Sequence, residues 1–232
     1  MRFIDTIEGL NKVFLTDIPK NSVVLITGAP GTLKSGVTFS MLSNYLEGAD
    51  EYGLYITLEE SKANHMRNME HMGVKLTDKL GILDYSDYRL QFDEYSQDLI
   101  NTIETQIMQY KSKWGPKFTC VALDSLGALY SLMDEREDEM RKRLYHLFEP
   151  LRREDLTSFV IFETFNTLDP GQPKAGIEGY LADGIIELGI ASKQNVSYRF
   201  MKVLKMRAAT HSMDPWVVTV SDKGLKIYKG IS

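Results

Sequence analysis

The sequence predicts an α/β fold, a mostly parallel twisted sheet flanked by helices with a C-terminal antiparallel β extension. Two observations and one packing rule predict it. Short apolar runs rich in β-branched and aromatic residues alternate with longer stretches of helical period. Strands and helices in that alternation require parallel pairing, with crossover helices covering both sheet faces. From about residue 184 the alternation changes to short strand-like runs separated by turn signals, which suits a meander along one sheet edge.

The elements follow in order. "SVVLITG" (22–28), "GLYITLEE" (53–60), "FTCVALDS" (118–125) and "SFVIFET" (158–164) contain no proline and read as buried strands. A helix begins at Lys34 and runs through "KSGVTFSMLSNYLEG" to its glycine stop. A second carries Leu99, Ile103, Ile107 and Tyr110 at helical spacing. A third, "DEREDEMRKRLYHLFEPLRRE", aligns Met140, Leu144, Leu147 and Leu151 on one stripe. Its Glu137/Arg141, Asp138/Lys142 and Glu139/Arg143 pairs sit four apart and mark a solvated face. "GIIELGI", "SYRFMKVLKMR" and "WVVTVSDKGLKIY" supply the meander. With 232 residues, no linker, no low-complexity tract and no internal repeat, one domain over 1–232 is expected.

Composition narrows the function classes. The chain is 43% hydrophobic and 25% charged, as a globular core requires. Its 27 basic and 32 acidic residues leave a net charge of -5, which is not the footprint of a general nucleic-acid or membrane binder. The single cysteine, Cys120, has no internal partner and suits a reducing compartment. Neither a long apolar run nor a signal-type N-terminus appears, so a cytoplasmic location without membrane attachment is expected.

The chemistry starts at "GAPGTLKS", directly after the first strand. Gly28, Ala29, Pro30, Gly31, Thr32, Leu33, Lys34 and Ser35, followed by Gly36, match a phosphate-binding loop except that Leu33 replaces its second glycine. Such a loop works through backbone N–H groups, the positive end of the following helix and a lysine, and most of this does not depend on side-chain identity. If the loop demands a positive φ at Leu33, the side chain costs on the order of 1 to 2 kcal/mol.

Two further strand ends bear on the same edge. Asp124 closes "CVALD", where a magnesium ion beside the Ser35 hydroxyl needs a carboxylate; alone, such an aspartate is as readily a helix cap. Glu59 and Glu60 close "YITLEE", where a carboxylate can polarise water for attack on a phosphate. An acidic pair at the start of the next helix is the competing reading, and one glutamate can serve each purpose.

The loop, "LEES", "ALDS" and the tail "LKMRAATHSMDPWVVTVSDKGLKIY", in this order and spacing, resemble the KaiC-like branch of the RecA superfamily of ATPases. The resemblance covers nearly the whole chain, including the opening "TIEGLNKVFLTDIPKNSVVLITGAPG", and is closest to stand-alone single-domain members, many of them archaeal. It implies a RecA-like P-loop core that binds ATP and magnesium and assembles as a homo-oligomer, commonly a hexameric ring, with nucleotide between subunits. By this similarity residues 28–36 hold phosphate, Ser35 holds magnesium directly and Asp124 through water. Glu59 is the general base with Glu60 beside it, and Lys205 and Arg207 reach a neighbour's nucleotide. Two residues apart on one strand, both cations would face one side. Glu163, at the end of "SFVIFET", falls where a phosphate sensor is often placed, with a simple cap as the competing reading, and His211 reads as structural rather than as a metal ligand. The adjacent Ser-Thr pair that the family's tandem clock protein phosphorylates is replaced in "KAGIEGYLADG" by Glu178-Gly179.

The expected function is a slow ATPase whose nucleotide state controls self-assembly or a protein partner of unknown identity. The alternatives are a recombinase-like or recombination-mediator protein acting on DNA, and a nucleotide-binding scaffold without hydrolysis. The turn-rich segment "ETFNTLDPGQPKAGIEG" would be the DNA loop, yet Lys174 is its only basic residue.

Overall fold

The computed structural model describes residues 1–86, 96–131, 137–164 and 177–230. Its strands are β1 (Val23–Gly28), β2 (Tyr52–Thr57), β3 (Leu80–Asp84), β4 (Phe118–Asp124), β5 (Thr157–Glu163), β6 (Gly184–Lys193), β7 (Val196–Met206), β8 (Trp216–Ser221) and β9 (Gly224–Lys229). They form one sheet in the order β3-β2-β4-β5-β1-β6-β7-β8-β9. The first six positions in that order pair in parallel, and β6 to β9 pair antiparallel with their successors. This is the expected α/β architecture with its antiparallel extension.

β1 shows why the sheet needs two helical layers. All six of its residues are buried. Val24 and Ile26 face a core shared with Val37, Phe39, Met41 and Leu42 of α2 (Lys34–Glu47) and Met69 of α3 (Lys62–His71). Val23 and Leu25 face the opposite core, built with Leu99, Ile103 and Ile107 of α4 (Ser96–Trp114), Leu126 of α5 (Leu126–Ser131) and Leu144, Leu147 and Leu151 of α6 (Glu137–Arg153). Strand alternation thus sends successive side chains to different layers. Two further short α-helices lie among the described residues, α1 (Leu10–Val13) and α7 (Ile177–Leu181). The Met140 side chain and the three four-apart charge pairs of α6 involve side chains outside the described residues.

The hairpins are locally encoded. Gln194 and Asn195, with φ of 49° and 65°, turn β6 into β7, the paired positive values that match strand twist in a two-residue turn. In "SDKG", Gly224 takes φ 102° at the turn between β8 and β9. His211 bridges Phe14 and packs edge-on to its ring.

Two expectations are refined. β2 ends at Thr57, so Glu59 and Glu60 lie in the bend beyond the strand. β7 ends at Met206, so Arg207 lies in the following turn, and strand alternation does not govern how it sits relative to Lys205. Among the described residues no helix is long and apolar enough to cross a membrane.

Candidate active site

Four sequence-predicted groups lie along the C-terminal edge of the parallel strands. Thr57 of β2 pairs with Asp124 of β4, and Glu163 of β5 pairs with Gly28 of β1. Because β4 and β5 separate β2 from β1, the edge runs Glu59, Asp124, Glu163 and then the loop. In an open α/β sheet this edge is where ligands sit.

The loop follows directly from β1. A Cβ on Gly28, whose φ is 149°, would meet the Leu188 carbonyl oxygen at 2.0 Å, so β6 leaves room for glycine alone. Thr32 is buried and its hydroxyl donates to the Ala29 carbonyl at 2.8 Å, closing the loop on itself. Gly31 has φ 78° and Leu33 φ 74°, so the loop does impose a left-handed backbone on the leucine. The Leu33 side chain, in return, packs against the α2 core. The next four residues start α2, with Val37 N–H bonded to the Leu33 carbonyl at 2.9 Å, and the positive end of this 14-residue helix opens at the loop.

Lys34 is buried, and its ammonium donates to the Ala29 carbonyl and to Glu163 Oε1, each at 2.9 Å. Glu163 is thereby tied to the loop lysine. Arg199 of β7, which the sequence did not single out, donates through Nε to the Gly31 carbonyl at 2.9 Å and adds positive charge beside the loop.

Asp124 is buried at the tip of β4 and accepts a hydrogen bond from the Tyr55 hydroxyl at 2.6 Å. Burial raises its carboxyl above the usual range, partly offset by hydrogen bonds from Tyr55 and Ser35 and by the Lys34 charge. The Tyr55 phenol is held protonated by burial and by the Asp124 charge. A Ser35 hydroxyl and an Asp124 carboxylate are hard oxygen donors, and a nearby cation would favour the ionised aspartate. They fit magnesium, which takes few protein ligands and keeps several waters. Among the described residues no cluster of three or more His, Cys, Asp or Glu is placed to hold a metal without such help.

The two glutamates have different partners. Glu59 is exposed, and its carboxylate accepts a hydrogen bond from the buried Ser125 hydroxyl, directly after Asp124. Glu60 turns to α3, accepting from Asn68 at 2.6 Å and lying 3.5 Å from His65 Nδ1. Its N–H donates to the Thr57 hydroxyl, which caps the bend.

Lys205 and Arg207 are not brought to this edge. Gly184 pairs with both Val24 and Met206, which places the pair at the opposite end of the strands from Gly28. There Lys205 donates to the carbonyls of Gly179 and Ala182, and Arg207 to Asp183. Lys174 and the Glu178 side chain lie outside the described residues.

A glycine-bearing phosphate loop, a buried lysine and a metal-type carboxylate on one edge of this sheet define a nucleotide-binding P-loop ATPase of the RecA type. Comparison with known proteins carries this further. The family model for the KaiC ATPase matches residues 5–232, and the chain belongs to that family. The circadian clock oscillator protein KaiC of Prochlorococcus marinus (strain MIT 9313) is 28% identical over 233 residues, covering 96% of this chain and 45% of that protein. KaiC of Parathermosynechococcus lividus is 26% identical over 231 residues, covering 96% of this chain and 41% of its own length. The chain thus spans less than half the length of these curated relatives. A KaiC-like protein from Pyrococcus horikoshii OT3 shares the fold at a TM-score of 0.79 and 23% identity, with 98% of this chain and 99% of that one covered.

Proposed function

We propose that this chain binds ATP with magnesium between subunits of a homo-oligomeric ring and hydrolyses it slowly. Its nucleotide state would control assembly or engagement of a protein partner. What supports the reading is the split of the machinery over two sheet edges. Glu59, Asp124, Glu163 and Lys34 share one edge, while Lys205 and Arg207 sit at the other. A single copy cannot apply both sets to one triphosphate, whereas a second copy presenting its far edge supplies the missing cations.

In this reading the backbone N–H groups of the loop after Pro30, which has none, and the N-terminus of α2 hold the phosphates, and Lys34 moves part of its bonding from Glu163 to them. Ser35 directly, and Asp124 through water, would hold magnesium, which supplies charge neutralisation across the phosphate oxygens. Glu59 orients a water and takes its proton as the oxygen bonds to the γ-phosphorus and ADP departs with the broken bridge. The Ser125 hydroxyl holds Glu59 at the edge. The neighbour's Lys205 and Arg207 stabilise the charge that develops on the transferred group. Turnover is slow because the site is complete only across an interface.

Phosphate release from purified protein with ATP and magnesium, with and without Glu59→Gln, tests this. Turnover that falls by about a hundredfold while ATP binding is retained supports a general base at Glu59. A wild-type chain that binds ATP without releasing phosphate would instead be a nucleotide-binding scaffold.

A further inference from the structure

We infer that Asp183 is the positioning residue that sets Lys205 and Arg207 for the neighbouring subunit's nucleotide. The inference rests on the shared-site reading above and adds to it the device that aims the cations.

Asp183 stands between α7 and β6, and its two carboxylate oxygens have separate tasks. Oδ2 accepts from the Val23 N–H at 3.0 Å and from Arg152 Nη2 at 3.0 Å. Oδ1 accepts from Arg207 Nη1 at 3.1 Å. A carboxylate needed only to anchor the start of β1 would use the first oxygen alone. The backbone repeats the pattern, with Asp183 N–H donating to Val23 at 2.8 Å and Arg207 N–H donating to Asp183 at 2.9 Å. Asp183 therefore couples the first residue of the loop-bearing strand to the residue that would serve another subunit's site.

Lys205 is held by the same segment. Its ammonium donates to the Ala182 carbonyl at 2.6 Å and to Gly179 at 3.0 Å. Arg207 and Arg152 thus share one carboxylate, with Lys205 held on the carbonyl just before it, and without that charge the neighbouring cations would push apart. Arg207 gives one guanidinium N–H to Asp183 and has five in all, so the contact anchors one corner of the fork and leaves donors for phosphate oxygens. Its side chain remains 59% exposed, as a group offered to another subunit must be.

Asp183→Asn keeps the shape and an acceptor for Val23 while removing the charge. The expected result is a turnover loss of about tenfold, smaller than that of Arg207→Ala, because a misaimed group forfeits only part of its effect. Mixed rings separate positioning from folding. Asp183→Asn subunits mixed with Glu59→Gln subunits regain turnover, since the latter bring intact cations to intact sites. Asp183→Asn mixed with Arg207→Ala regains none. If Asp183→Asn does not fold, Asp183→Glu, which keeps the charge and displaces it by one methylene, is taken through the same mixtures. Wild-type turnover in Asp183→Asn overturns the inference. So does the absence of recovery with Glu59→Gln when Arg207→Ala recovers with the same partner, because Asp183 is then needed in the subunit that holds the nucleotide. Absence of recovery in the Arg207→Ala and Glu59→Gln mixture, with mixing demonstrated, overturns the shared-site reading itself and this inference with it.

Discussion

The Lys34 ammonium lies 2.9 Å from Glu163 Oε1, so the lysine of the phosphate loop is tied to the strand between the loop and Asp124. The pair is largely sheltered, with side-chain exposures of 5% and 22%. Any phosphate that takes Lys34 must approach a carboxylate of its own sign. Glu163→Gln is therefore expected to tighten ATP binding about five- to tenfold, on the order of 1 kcal/mol. Titration with a fluorescent ATP analogue checks this, and weaker binding in the variant would contradict it.

Glu59 and Glu60 are neighbours in the chain with different surroundings, so their amide variants should behave differently. Glu60→Gln keeps the Asn68 contact largely intact and is expected to hold turnover within about threefold, with a stability loss of roughly 1 kcal/mol or less. Steady-state phosphate release together with denaturant unfolding reads both quantities. A collapse of turnover in Glu60→Gln comparable to that in Glu59→Gln would reverse the assignment of the base.

The loop is constrained unequally at its two unusual positions. At Gly28 a methyl group would be driven into the Leu188 carbonyl, and Gly28→Ala is expected to destabilise by about 3 kcal/mol or more. At Leu33, glycine relieves a left-handed backbone but gives up packing and adds unfolded-state entropy, terms of about 1 kcal/mol each that oppose one another. Leu33→Gly should therefore keep ATP affinity within about fivefold, as measured by titration. An affinity gain well beyond that would show that the loop carries strain which the packing does not offset.

His65 is buried against Tyr55 and Phe39, and neither ring nitrogen has a hydrogen-bond partner among the described residues. Burial lowers its pKa, and the nearby Glu60 carboxylate only partly offsets this. A depressed folded value means that the unfolded chain binds the proton more tightly. Stability is then lost as pH falls from about 6.5, the ordinary imidazole value, toward the lowered one. His65→Phe is expected to flatten that decline in urea midpoints measured across the window. An unchanged slope would mean that His65 does not contribute to it.

Local features of the site were legible in the sequence, and long-range ones were not. Gly28 to Ser35 form a motif because backbone donors, a helix start and a lysine act within one loop, and Asp124 shows because it ends an apolar run. Strand order left no local trace, so it took the sheet to place β4 and β5 between Glu59 and the loop. β3, an edge strand with only Leu80 buried, is too short and too exposed to stand out by period. Tyr55 reads as one more apolar strand residue until its hydroxyl is seen on Asp124. Arg199 meets Gly31 across 168 residues, and Asp183 meets Val23 across 160, separations at which no spacing rule applies. Lys205 and Arg207 stood out through family resemblance, whereas the carboxylate between them and β1 did not.

The central claim is that one triphosphate site is completed by two subunits. Phosphate release from mixtures of Arg207→Ala and Glu59→Gln chains, each inactive alone, measures this most directly. Since the first keeps an intact Glu59 edge and the second an intact cation pair, the account predicts that turnover returns as subunits exchange, reaching roughly a quarter of the wild-type rate at equal mixing if neighbours assort at random. Turnover that stays at the level of the separate variants, in rings shown to be mixed, would contradict it.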